Sequence, residues 1–147
     1  MSAEQLSDDE WTALLQAPFC VYSLVASAEG PPDTVQFRTM TDEVEAARAV
    51  FPSGTIGHVL IEAVAADILG LWAIHHASGA SPKAGIKTAM KALGRVAETD
   101  GIAIRDWLMV LAERVAASTR MMGQPPISAG EERAIRDLSK WLDRPAP

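Results

Sequence analysis

Thr55–Ser78 reads TIGHVLIEAVAADILGLWAIHHAS, and between Ile56 and Ala77 its only charged residues are Glu62 and Asp67. Apolar residues occupy every side of a helical wheel drawn over it, the pattern of a helix enclosed by others rather than lying on a surface. The flanking chain supplies amphipathic segments with one apolar face each, which suits a wrapping layer. The stretch therefore predicts an all-α fold, a single domain over residues 1–147. Six or seven helices wrap around a central buried helix at about 56–77, with short flexible ends at about 1–6 and 144–147. The 22 residues of Ile56–Ala77 are long enough to cross a bilayer. His58, Glu62 and Asp67 fall inside that span, however, and each acid at membrane depth costs roughly 2.5–3.5 kcal/mol. A core helix, not a membrane-spanning one, is the expectation.

Composition agrees with a folded domain. Hydrophobic residues make up 48% and charged residues 22% of the chain, neither a membrane nor a disordered balance. Residues 1–70 carry 11 acids against 2 bases, and residues 71–147 carry 8 acids against 11 bases. The halves either pair internally or present opposite charge to different partners. A net charge of −6 argues against nucleic-acid binding. The acidic opening MSAEQLSDDE does not read as a secretory or transit leader. Cys20 is the only cysteine, so no internal disulfide forms, in keeping with a cytoplasmic location. Among Phe19, Val21 and Leu24 it reads as a buried, inert thiol.

Helix boundaries are written plainly on both sides of the central stretch. Ser7-Asp8-Asp9-Glu10 is a capping box with acids in the first turn. Pro18 predicts the end of that helix and the start of a second over Pro18–Ala28, stopped by Glu29-Gly30-Pro31-Pro32. Asp33 caps a short segment bearing Val35 and Phe37, and Thr41-Asp42-Glu43 looks like a further start. Phe51-Pro52-Ser53-Gly54 closes that helix before Thr55. Ser81-Pro82 opens the next, with Ile86, Ala89, Met90, Leu93, Val96 and Ala97 at helical spacing. Thr99-Asp100-Gly101 predicts a break, and a helix follows over about Ile102–Met121. Ser128-Ala129-Gly130-Glu131 is a second capping box, and the last helix stops at Arg144-Pro145.

Several of these pieces together resemble the tellurite-resistance TerB-like family of helical domains. LSDDEW (Leu6–Trp11) and APFCVYSLVASAEG (Ala17–Gly30) resemble its opening, and VAETDGI (Val96–Ile102) with ISAGEERAI (Ile127–Ile135) resembles its later part. The likeness covers both ends of the chain and leaves Thr41–Ser81 to its own pattern. It implies a cytoplasmic, stress-associated interaction module without assigned catalysis, together with an acidic metal cluster. That cluster departs from the family here: Glu29 replaces an aspartate, Gln36 stands at a usual glutamate, and Asp106 comes one position early.

Candidate sites follow from spacing. Lys83, Lys87, Lys91 and Arg95 recur every four residues, so one helix presents four positive charges in a ridge. Like charges at that spacing cost roughly 0.2–0.5 kcal/mol per pair, and an acidic protein surface or a phosphate-bearing ligand would relieve them. The plainer account is a solvated helix face. His58 and Glu62, four apart, have the spacing of a chelating pair, though a core histidine bonded to a neighbouring carboxylate is the plainer account. Glu29, Asp33 and Asp100 at helix ends offer oxygen ligands for a divalent metal if the two halves are arranged alike. Asp67, if buried, needs a basic partner or a watery pocket. His75-His76 reads as a pair at a helix C-terminus, and Met121-Met122 as ordinary packing, with a soft apolar contact patch as the alternative. No spacing of serine, histidine and carboxylate implies a catalytic triad. The sequence thus points to a non-enzymatic protein-interaction module, in a stress-response or membrane-associated assembly, possessing no evident cofactor. The alternative is a metal- or small-ligand-binding domain using acids and histidines around the central helix.

Overall fold

Ser7 accepts a hydrogen bond from the Glu10 amide while the Glu10 carboxylate accepts from the Ser7 amide, so the first helix starts where the capping box predicts. It is α1, Asp8–Ala26, in a computed structural model that describes residues 6–28, 30, 33–118 and 127–144. The remaining six helices are α2 (Thr34–Val50), α3 (Ile56–Ala66), α4 (Ile68–Ser78), α5 (Pro82–Leu93), α6 (Glu98–Ala117) and α7 (Ala129–Leu142). No strand occurs among the described residues. The protein is a single all-α domain built on one hydrophobic core.

The central position belongs to α1. It packs against each of the other six helices. Ala17 through Tyr22 are all buried, so this part of α1 faces neighbours on every side. Pro18 does not end the helix as expected but sits within it. Its ring removes only the amide bond to the Leu14 carbonyl, and the surrounding burial outweighs that loss. The second helix expected over Pro18–Ala28 is therefore the latter half of α1. Likewise α2 runs unbroken through Thr41-Asp42-Glu43, because Thr41 bonds back to the Arg38 carbonyl instead of capping a new helix. Its inward stripe is Gln36, Met40, Val44 and Ala47.

The expected central rod over 56–77 is a correction of larger consequence. Asp67 breaks it: the residue adopts φ −150°, ψ 54°, and its carboxylate accepts from the Gly70 amide as the N-cap of α4. The axes of α3 and α4 differ by 85°. Only α3 enters the core, through Ile56, Leu60, Ile61 and Val64; no residue of α4 is fully buried. Aspartate competes with helical backbone through local bonds of this kind. A buried charge needing a partner is thus replaced by an exposed cap. No single helix among the described residues is long and apolar enough to cross a membrane; the bent α3–α4 pair meets that test only jointly.

The break between α5 and α6 falls at Gly94–Ala97. Glu98 begins α6, so Thr99-Asp100-Gly101 lies inside its first turn rather than between helices. That start has no side-chain cap, and Gly101 is buried near Val96. Leu6 and Arg144, placed in the expected flexible ends, both have contacts. Leu6 joins the core, and Arg144 pairs with Asp106 at 2.7 Å. Met121, Met122, Glu29 and Pro145 lie outside the described residues.

Candidate functional site

The features that stand apart from ordinary packing converge on α4. Its inner side is tied to α1. Trp72 lies 5.4 Å from Tyr22, 5.6 Å from Phe37 of α2 and 6.3 Å from Phe19, centroid to centroid. Gln16 donates to the Leu71 carbonyl, and His75 Nε2 lies 2.9 Å from Ser23 Oγ. Trp72 also stacks on His75 at 5.7 Å and meets His76 at 5.9 Å, as residues three and four apart on a helix should.

The outer side of α4 has no partner among the described residues. Leu69 is 72% exposed and Ile74 59% exposed, and Ala73 and Ala77 extend the same surface. Scattered apolar side chains are common on any protein, whereas a contiguous apolar face without charge marks a contact surface.

A cleft of about 310 Å³ opens where α4 ends and α5 begins, with Ser23, Ser27, Trp72, His75, His76 and Pro82 around it. Desolvation, then the neighbouring His76, hold the His75 imidazole below its ordinary value of 6.5. Cys20 Sγ lies 4.0 Å from His75 Nδ1 on the far side of the ring. Burial pushes the Cys20 thiol up to about 11, so it stays protonated, as the inert reading expects. Ser23 and His75 are 52 residues apart, and no spacing rule could have joined them. A second cleft of about 400 Å³ lies beside Ile127, Ile135 and Ser139 of the α7 region.

The residues singled out by sequence are mostly engaged elsewhere. In the basic run, Lys83 Nζ sits 5.5 Å over the Trp141 ring, and Arg95, beyond the end of α5, pairs with Glu10. Lys87 and Lys91 stay exposed, without an ion pair among the described residues. The ridge of four is accordingly reduced to two. Glu62 receives Arg48 on both oxygens, at 3.0 and 3.3 Å, and that hydrogen bonding lowers its carboxyl from the ordinary value. His58 Nδ1 bonds to the Phe51 carbonyl at 3.2 Å. The pair is therefore divided between two structural contacts. Asp33 caps α2 by accepting from Gln36, and Asp100 lies in the first turn of α6. Among the described residues no group of three or more histidine, cysteine or acidic side chains is placed to hold a metal; Glu29 falls outside them.

No family model, no curated protein and no solved structure matches the chain.

Proposed function

We propose that this chain is a helical protein-association module that docks an apolar helix of a partner protein onto the outer face of α4. The observation that carries this reading is the exposure of Leu69 and Ile74 on a helix with no charged residue between its Asp67 cap and Ser78. Burying a large aliphatic side chain contributes roughly 1.5–3 kcal/mol, so two of them supply a useful share of a docking energy. Leu69, Ala73 and Ala77 recur every four residues on the exposed side, the spacing by which apolar helix faces dock. Lys87 and Lys91, exposed on α5, would draw an acidic partner by a salt-sensitive attraction. The TerB-like motifs at Leu6–Trp11 and Ile127–Ile135 favour the same class, a cytoplasmic module in a stress-response assembly.

The test places a photocrosslinking residue at Ala73 in the full chain, in cells, and identifies the adduct by mass spectrometry. A defined protein partner is expected, lost on combining Leu69→Glu with Ile74→Glu and weakened by Lys87→Glu with Lys91→Glu. Adducts that persist unchanged in the Leu69/Ile74 variant, adducts to lipid alone, or none at all would refute the assignment.

A further inference from the structure

We propose that Ser23 is a nucleophile activated by His75, able to take an acyl group from small apolar carboxylic esters that enter the cleft at the end of α4. The geometry is that of a nucleophile and its base: Oγ and Nε2 are 2.9 Å apart, and both residues border the same opening. In the tautomer protonated at Nδ1, the Ser23 hydroxyl donates to Nε2, and the Cys20 sulfur, 4.0 Å from Nδ1, faces the ring proton. Trp72 holds the imidazole from one face, stacked at 5.7 Å. Such a constellation is recognised by geometry and roles, not by order in the chain. At about 310 Å³ the cleft lies at the lower end of ligand pockets, roughly 300–1,000 Å³, which restricts the acyl group to a small one.

The step balances without any added co-reactant except water. The Ser23 proton passes to His75 Nε2 as the Oγ–C bond forms at the ester carbonyl. The imidazolium returns that proton to the leaving oxygen as the C–O bond breaks, giving acyl-Ser23 and a free alcohol. Water then attacks the acyl carbon, giving a proton to His75 Nε2; the Oγ–C bond breaks as that proton returns to Ser23 Oγ, and the carboxylic acid departs. Ser27 and His76 border the same cleft and are the other polar side chains that line it. Among the described residues no carboxylate contacts the imidazole, so acylation, rather than turnover, is the step to measure.

The intact protein is treated with a fluorophosphonate probe, whose phosphorus bonds to Oγ as fluoride leaves, and with p-nitrophenyl acetate. Modification of Ser23 by peptide mass spectrometry is expected, with a stoichiometric burst of nitrophenolate. Ser23→Ala abolishes both, and His75→Gln slows them about a hundredfold, the lower end of the usual range for general-base assistance. In the unmodified sequence the rate falls as a single proton is taken up on acidification, a readout independent of whether the His75 variant folds. An unmodified Ser23, an equal rate in folded His75→Gln, or a pH-independent rate would each overturn the proposal.

Discussion

Gly85 of α5 lies against Cys20 of α1 so closely that a Cβ at position 85 would fall 2.6 Å from the Cys20 sulfur. An alanine in a helix ordinarily gains about 0.5–1 kcal/mol over glycine. Here the methyl meets a side chain only 3% exposed, and overpacking of that kind costs about 1–3 kcal/mol. Gly85→Ala is therefore expected to destabilise the domain in chemical denaturation. Adding Cys20→Ala should recover part of the loss, a coupling that independent sites would not show. Equal or greater stability in the single variant would mean that α1 and α5 separate freely at this point.

Asp67 and Gly70 form the second such pair. The Asp67 carboxylate caps α4, and a Cβ on Gly70 would sit 2.3 Å from one of its oxygens. Asp67→Ala should cost about 0.5–2 kcal/mol, the usual range for a lost N-cap, and Asp67→Asn much less. Gly70→Ala displaces the same carboxylate, so the double variant should lose little more than the worse single one. Strict additivity in a denaturation cycle would contradict the shared mechanism.

Cys20 gives a chemical test of burial. Its thiol is pushed up to about 11 by desolvation, and the thiolate is the reactive form. A maleimide at mildly alkaline pH should leave the folded protein unmodified and label it at one site in denaturant. Prompt labelling of the native state would show that the α1–α4–α5 junction opens readily.

These pairs also show which parts of the fold were legible. The caps at Ser7, Asp33, Thr55, Ser81 and Ser128 are local devices, complete within four residues, and the sequence contains all the information they need. Pro18 was misleading because its cost is local while the burial that offsets it comes from several distant helices. Asp67 was misleading in the opposite sense: hydropathy summed over 22 residues conceals one side chain that turns the backbone. The start of α6 at Glu98 has no side-chain cap to announce it. The contact of Ser23 with His75 depends on the bend between α3 and α4, and so could not be read before that bend was known.

His75 supplies a pH dependence whose sign follows from its surroundings. Desolvation chiefly, and His76 secondarily, lower its proton affinity in the folded state. Among the described residues, the groups facing it are Ser23 and Cys20 from α1 and Trp72 and His76 from α4; none of these offers a carboxylate to hold the imidazolium. The unfolded chain therefore binds more protons, and stability rises with pH around and below the ordinary value of 6.5. Above that window the contribution is complete; on acidification it is lost as the unfolded histidine takes up its proton. Glu10 and Glu62, lowered chiefly by hydrogen bonds from the Ser7 backbone and from Arg48 respectively, act in the same direction only below their ordinary 4.5. The two ranges are separable. Denaturant unfolding at a series of pH values should show stability falling from neutral toward pH 5.5, and His75→Gln should flatten that segment while leaving the more acidic one intact. A slope unchanged by the substitution would assign the proton uptake to another group and leave the α1–α4 junction indifferent to charge.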